Sequence, residues 1–278
     1  MMREILAGNI SRYRKELGLT QEALAAKLNI TFQAVSKWET GQTMPDTALL
    51  PTLAQTLQVS IDKLLGYTAF KSDLSYYEEI YQQKEYFWGI EPSAMCLQVL
   101  QTLPPNRKLK LLDIGCGEGK DAVFFARCGY EVSAFDISEA GLEKTKRLAD
   151  TARVQVRTFR ANVWDYRLSE NYDVLYSSGV CHYLKPELRA EIMANYQTHV
   201  QEGGIVALQV FVAKPFLALP PEKEEHSYPW QSGELFTYFH NWRFEHCAEN
   251  IFDCNSSGVP HQHADNRLIA KKVSVPPL

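Results

Sequence analysis

The stretch "KLKLLDIGCGEGKDAVFFARCGYEVSAFD", Lys108 to Asp136, decides the fold. An apolar run ends in three glycines within five residues, a helix-forming segment follows, and a second apolar run closes on Asp136. Strand, tight turn, helix and strand of this kind hold a ligand against bare backbone. A P-loop needs a lysine followed by Ser or Thr to reach magnesium, but Lys120 is followed by Asp121. The dinucleotide fingerprint needs glycine at its sixth position, where this chain has Lys120. What remains is a tight turn, Gly115-Cys116-Gly117-Glu118-Gly119, after a strand carrying Asp113, with Asp136 placed to accept from a ribose diol. That arrangement suits an adenosine without phosphate whose other end is a zwitterion.

Outward from this stretch the pattern keeps alternating. "VQVRTFRAN", "YDVLYSSG" and "GGIVALQVFV" read as strands, separated by "SEAGLEKTKRLADT" and "PELRAEIMANYQTHV" as helices. Near-continuous apolar strands between helices of this length predict an α/β, mostly parallel sheet covered on both faces. Ligands gather at the carboxyl ends of such strands, near the switch in strand order.

"LLDIGCGEGKDAVFFARCGYEVSAFDIS" resembles motif I of the class I S-adenosylmethionine-dependent methyltransferases, over roughly residues 76–275. The resemblance implies a Rossmann-like domain with a mostly parallel seven-stranded sheet and S-adenosyl-L-methionine as cofactor. It assigns Gly115, Gly117 and adjoining backbone to the methionine moiety and Asp136 to the ribose hydroxyls. Asn162, in "FRANVWD", stands where an acidic residue commonly meets the adenine amino group, and its amide oxygen can still accept. "YDVLYSSGVCHYL" places Ser177 to Val180 beneath the sulfonium. Asp113, Cys116, Ile137, Val163, Ser178, Tyr86 and Trp88 complete the expected cofactor set. Tyr86, Trp88, His182 and Tyr183 read equally as pocket walls or as ordinary core aromatics, and Cys181 as packing.

The acceptor is less legible. No [DN]-P-P-[YFW] follows the fourth strand and no Pro-Cys nucleophile pair is present, which argues against methylation of DNA bases. "SYPWQSGELFTYFHNWRFEHCAENIFDCNSSGVPHQHADNRLIAKK" resembles the tellurite-resistance (TehB-like) branch of small-molecule methyltransferases, implying a tellurite-like or thiol-like acceptor. The sulfonium is already activated, so such an enzyme must mainly desolvate and align a nucleophile. An oxyanion acceptor needs cationic donors, and His261, His263 and Arg267 are the available group, with His182 as a further catalytic candidate. Solvent-exposed hairpin residues are the plainer reading of the two histidines. They could also ligate a metal, yet no third ligand of suitable spacing is evident and none is expected.

The first sixty-six residues read as short helices sharing one core. Ile5, Ile10, Tyr13 and Leu17 recur at helical spacing, and Thr20, Asp46 and Ser60 stand as N-caps. Ala25, Leu28, Ile30, Val35, Trp38, Leu50, Leu53, Ala54, Leu57 and Leu64 are the predicted core. "LTQEALAAKLNITFQAVSKWETGQTMPDTALLPTLAQTLQVSIDKLL" resembles the Cro/C1-type helix-turn-helix family, implying an all-α five-helix domain that binds a double-stranded DNA operator. Thr31 to Glu39 becomes the recognition helix, with Gln33, Ser36 and Lys37 facing bases or phosphates and Gln21 touching the backbone. A helical docking module without DNA binding is the alternative.

The expected organisation is residues 1–67 as the DNA-binding domain, 68–75 as linker and 76–278 as the methyltransferase domain. Residues 1–66 carry seven Lys/Arg against six Asp/Glu, and the rest 22 against 27, so the larger part is no general nucleic-acid binder. No run is long and apolar enough for a membrane span or a secretory signal. Six cysteines without a C-x-x-C pair suggest free thiols and a cytoplasmic setting. Operator reading usually takes two heads, so a homodimer is expected. Two functions stay open: methyl transfer to a small molecule by an enzyme with a regulatory head, or a regulator whose methyltransferase fold senses a metabolite without turnover.

Overall fold

The computed structural model describes residues 2–59, 61–65, 73–218, 227–255 and 258–274. The chain divides into two compact units, residues 1–72 and 73–278.

The first unit holds α1 (Met2–Glu16), α2 (Gln21–Leu28), α3 (Phe32–Glu39), a single 3-10 turn (Thr47–Leu49), α4 (Leu50–Thr56) and α5 (Ile61–Leu65). Thr20 caps α2 by accepting from the Ala23 amide, and Thr31 caps α3 by accepting from Ala34. Between them Asn29 turns left-handed at φ 57°, which ends α2 and aims α3 across it. Leu24, Ala25, Leu28, Val35, Trp38, Leu53, Ala54, Leu57 and Leu64 are buried together with Leu6 and Ile10. Ile30 and Leu50 are only partly buried against that core. Ile5 and Leu17 face outward; Leu6 and Ile10 carry the inner face of α1 instead. The cap expected at Ser60 and the linker up to residue 72 lie outside the described residues.

A charged clasp was not foreseen. Arg14 Nε and Nη2 donate to the two carboxylate oxygens of Glu39 at 2.5 and 2.8 Å, and Arg14 Nη1 donates to the Leu19 carbonyl. Burial pushes the Glu39 carboxyl up, but bonds from Arg14 and Gln21 outweigh it and hold it below the usual range. A carboxyl lowered by folding stabilises fully above its unfolded pKa and loses that contribution as pH falls through the folded value. Glu39→Gln is therefore expected to cost about 3 kcal/mol at pH 7, because it strands a buried guanidinium. It should also flatten the loss of stability on acidification, as read by thermal unfolding of the full chain from pH 7 down to pH 3.

The second unit begins with α6 (Asp73–Tyr81) and α7 (Ala94–Thr102). It continues β1 (Lys110–Ile114), α8 (Lys120–Arg127), β2 (Glu131–Asp136), α9 (Glu139–Ala152), β3 (Val156–Arg160) and β4 (Tyr172–Ser177). Then come α10 (Pro186–His199), β5 (Val200–Val212), α11 (Glu234–Tyr238), β6 (Arg243–Cys254) and β7 (His261–Lys271). The seven strands lie in the order β3-β2-β1-β4-β5-β7-β6, parallel except for β7, which runs antiparallel to both neighbours. Alternating strand residues face two cores. Leu112, Ile114, Leu175, Val206, Leu208 and Leu268 pack under α10 and α11, while Leu111, Ala134, Val174, Ala207 and Ile269 pack under α7 and α8. The strand order reverses between β1 and β4, so a crevice opens beyond their carboxyl ends. Because β7 is reversed, its first residues, His261 and His263, arrive at that same edge.

Candidate functional site

The glycine turn follows β1 as its spacing predicts. Gly115, Gly117 and Gly119 all take positive φ, 72°, 53° and 86°, which side chains rarely adopt. The amides of Gly115 and Cys116 both donate to the Phe135 carbonyl, tying the turn to the end of β2. The glycines also answer to protein neighbours. A Cβ on Gly115 would strike Val180 at 2.3 Å and one on Gly119 would strike Thr145 at 2.5 Å. At Gly117 the nearest atom is the Tyr81 hydroxyl, 3.0 Å from such a Cβ. Tyr81, at the end of α6, is therefore part of the site's wall.

Asp136 is buried and turned toward this turn. Its Oδ2 accepts from the Gly117 amide at 2.8 Å and its Oδ1 from the Ser138 amide at 2.9 Å. Burial raises its carboxyl above the usual range, and these backbone donors work against that rise. Each carboxylate oxygen can accept a second bond, so ribose hydroxyls can still be gripped. Asp113 sits beneath, also buried, and its Oδ2 has no hydrogen-bond partner among the described residues. Burial and then the neighbouring Asp121 push the Asp113 carboxyl well up. An unsatisfied buried acceptor beside three glycines fits a zwitterion whose ammonium would supply the missing donor.

The other sequence-derived residues fall around the same edge, with changed roles. Ile137 is half-buried and its carbonyl accepts from Arg160 Nε. Asn162 Oδ1 already accepts from the Trp164 amide at 2.9 Å, so the oxygen meant for adenine also holds its own turn. Val163 packs partly buried against the core under α10. Ser178 Oγ donates to Gln209 Oε1 at 2.8 Å. Cys116 Sγ lies 3.9 Å from Thr145 Oγ1. Trp88 is 44% exposed and works at one remove: its indole N–H donates to the Tyr81 hydroxyl at 3.0 Å. Tyr86 donates to the Lys144 carbonyl, and the Lys144 ammonium lies 5.3 Å from its ring centre.

Three supports were not legible in the sequence. Glu118 and Lys144 form a buried ion pair at 2.7 Å behind the turn, and the same two side chains bind the Glu85 carbonyl and the Trp88 amide. Glu78 of α6 accepts from Ser138 Oγ at 2.6 Å and from the Ala140 amide at the start of α9. Tyr81 closes the set; burial, reinforced by Asp136, raises its phenol well above the ordinary value and keeps it a neutral donor. A helix ahead of the sheet carries no spacing signal that it will fold over motif I.

The proposed acceptor group is brought together only in part. His182 is buried, with its ring centre 4.4 Å from that of Phe211 and 4.2 Å from that of Tyr183. His263 also stacks on Phe211, 4.8 Å away between ring centres at an interplanar angle of 7°. His261 Nε2 lies 2.9 Å from His263 Nε2. Arg267 does not join them as an open cation, because its Nε donates at 2.8 Å to Asp265, a fully buried carboxylate that Gln209 and Asn250 also approach. A groove of about 790 Å³ lined by Lys108, Tyr130 and Arg157 opens at the amino ends of the strands, and neither the glycine turn nor Asp136 lines it.

In the first unit, Gln33 and Lys37 are exposed one turn apart on α3, with Ser36 half-buried between them and Thr31 exposed as the cap. Gln21 instead points its amide at Glu39, donating at 2.9 Å.

Strand order, the reversed seventh strand and an acidic residue closing β2 over a glycine turn define the fold as that of the class I S-adenosylmethionine-dependent methyltransferases. Residues 76–266 match the family described as "Tellurite resistance protein TehB", and the chain belongs to that family. Residues 10–64 match a helix-turn-helix profile. Hemagglutinin 1 of Eikenella corrodens is 28% identical over 178 residues, 63% of this chain and 57% of that protein. The probable S-adenosyl-L-methionine-dependent methyltransferase TehB of Haemophilus influenzae is 25% identical over 142 residues, 51% of this chain and 49% of that protein. The chain thus spans about half the length of the curated relatives it matches. The crystal structure of TehB from Haemophilus influenzae superposes with a TM-score of 0.59 at 20% identity, over 72% of this chain and 67% of that one.

Proposed function

We propose that the protein transfers a methyl group from S-adenosylmethionine to a small, soft nucleophile, and that its first unit directs it to a DNA operator. One observation carries the enzymatic half: the buried Asp136 carboxylate holds the Gly117 amide at the switch point of the sheet, where it would also grip the cofactor's sugar. Asp113 would receive the ammonium, and Ser178 and Val180 would line the approach from β4. The bound cofactor supplies a methyl group already activated for attack. The chain's own task is to exclude water and hold the acceptor in line. Tyr81 and Tyr183 would supply aromatic walls, which suit a sulfonium cation, with His182 buried behind Tyr183. Because Asp265 neutralises Arg267, the site favours a thiol-like or weakly charged tellurium acceptor over a fully ionised oxyanion.

Calorimetric titration of the full chain with S-adenosylhomocysteine is expected to show one binding event. No detectable heat would defeat the reading. Labelled cofactor with thiols, selenite and tellurite then separates enzyme from sensor. Binding without transfer, together with cofactor-dependent operator binding, would favour a non-catalytic regulator, which the exposed Gln33 and Lys37 keep in view. We place the protein in the cytoplasm as a homodimer, since operators are usually read by two heads; among the described residues no helix is long and apolar enough to cross a membrane. Lys37→Ala should weaken DNA binding across sequences and lower the slope of log affinity against log salt by about 1.

A further inference from the structure

The β6–β7 hairpin assembles what spacing along the chain conceals. Cys254 stands directly opposite His261 in the antiparallel register, and His263 follows one step along the same face of β7. The ligand atoms of Cys254, His261 and His263 all lie within 4.8 Å of one another, and all three residues are half-buried. We propose that these three side chains form a mononuclear site for a borderline-soft divalent cation of the zinc class.

The histidine geometry already suits coordination. His261 Nδ1 lies 2.7 Å from the Val259 carbonyl oxygen, which can only accept, so the proton sits on Nδ1. Nε2 then presents its lone pair toward His263 Nε2, 2.9 Å away. A backbone carbonyl fixing one ring nitrogen so that the other can ligate is the support metal-binding histidines generally have. With His261 as acceptor, the contact holds one shared proton from His263, and a cation would take its place. One thiolate and two imidazoles select zinc or cobalt over magnesium or calcium, which demand oxygen ligands. Tetrahedral zinc, with Zn–S of about 2.3 Å and Zn–N of about 2.0 Å, holds its ligand atoms about 3.3–3.5 Å apart. The two imidazole nitrogens, 2.9 Å apart, must therefore part slightly, while the thiolate, within 4.8 Å of both, draws in by about 1 Å. Three protein ligands leave a fourth position open. The site lies at the same end of the sheet as the glycine turn, where Phe211 stacks on His263 and also contacts the His182 ring. It does not depend on methyl transfer and could exist without it.

Cobalt(II) titration of the reduced full chain tests the site. The expected result is saturation at one equivalent, with intense visible bands of tetrahedral cobalt, a sulfur-to-cobalt charge-transfer band, and displacement by zinc. Cys254→Ser should abolish the charge-transfer band, and His263→Gln should weaken cobalt binding by about a hundredfold. Cys247→Ser, on the same strand, should change neither. A charge-transfer band that survives Cys254→Ser, or only weak octahedral bands from the unaltered chain, overturns the proposal. The unaltered chain's spectrum decides even where a variant fails to fold, and S-adenosylhomocysteine binding on the same samples keeps this outcome separate from the methyltransferase reading.

Discussion

Asp136→Ala is expected to weaken S-adenosylhomocysteine binding by about a hundredfold while leaving the fold in place. Two effects combine. The ribose loses a charged acceptor, and each hydrogen bond to a charged group contributes about 1.5–3 kcal/mol. The Gly117 and Ser138 amides lose the carboxylate that holds them at 2.8 and 2.9 Å, so the turn is no longer preset for the ligand. A total near 3 kcal/mol corresponds to two decades in affinity. Asp136→Asn, which keeps one accepting oxygen, should fall between. Calorimetry, with circular dichroism to confirm folding, is the measurement. An alanine variant that binds within about threefold of the unaltered chain would show that the sugar is held elsewhere.

Lys144→Met is expected to cost about 3–5 kcal/mol of stability in the second unit. Lys144 and Glu118 are both almost wholly buried, at 2% and 1% side-chain exposure. Removing the cation leaves the carboxylate without its counter-charge and releases the Glu85 carbonyl from the ammonium. For a unit of this size the melting temperature should fall by about 10 °C. Pairing Lys144→Met with Glu118→Leu should recover most of the loss, since two apolar side chains of similar volume do not strand a charge. A single variant that melts within about 2 °C of the parent would mean that the pair is solvated and does not pin residues 85–88 over the turn.

The frame of the second unit was legible because motif I joins a period, a turn chemistry and an acidic residue within thirty positions. Gly115, Gly117 and Asp136 could be placed from that stretch alone. The first unit was legible for a similar reason: Thr20 and Asp46 cap their helical segments as the sequence predicts, while the capping roles of Thr31 and Asn29 emerge only in the structure. What escaped depends on contacts and burial that only the folded chain sets. Glu78 and Tyr81 reach the site from a helix 60 and 36 residues away from their partners Ser138 and Gly117. Arg267 looked like an available cation because sequence cannot show that Asp265, two positions earlier on the same strand face, would be buried beside it. Cys254 was invisible as a neighbour of His261 until the hairpin register was known.

None of the six cysteines forms a disulfide, and several are shielded as thiols. Burial raises Cys96 and Cys116 far above the ordinary value and holds Cys181 at about 11. Attack on tellurium, selenium or an alkylating reagent requires the thiolate. The sulfhydryl set into the glycine turn is therefore chemically quiet. Exposed Cys247 is the one that oxidants and labelling reagents should reach first. Under the proposed function, the same burial would keep this thiol from reacting with a thiophilic acceptor.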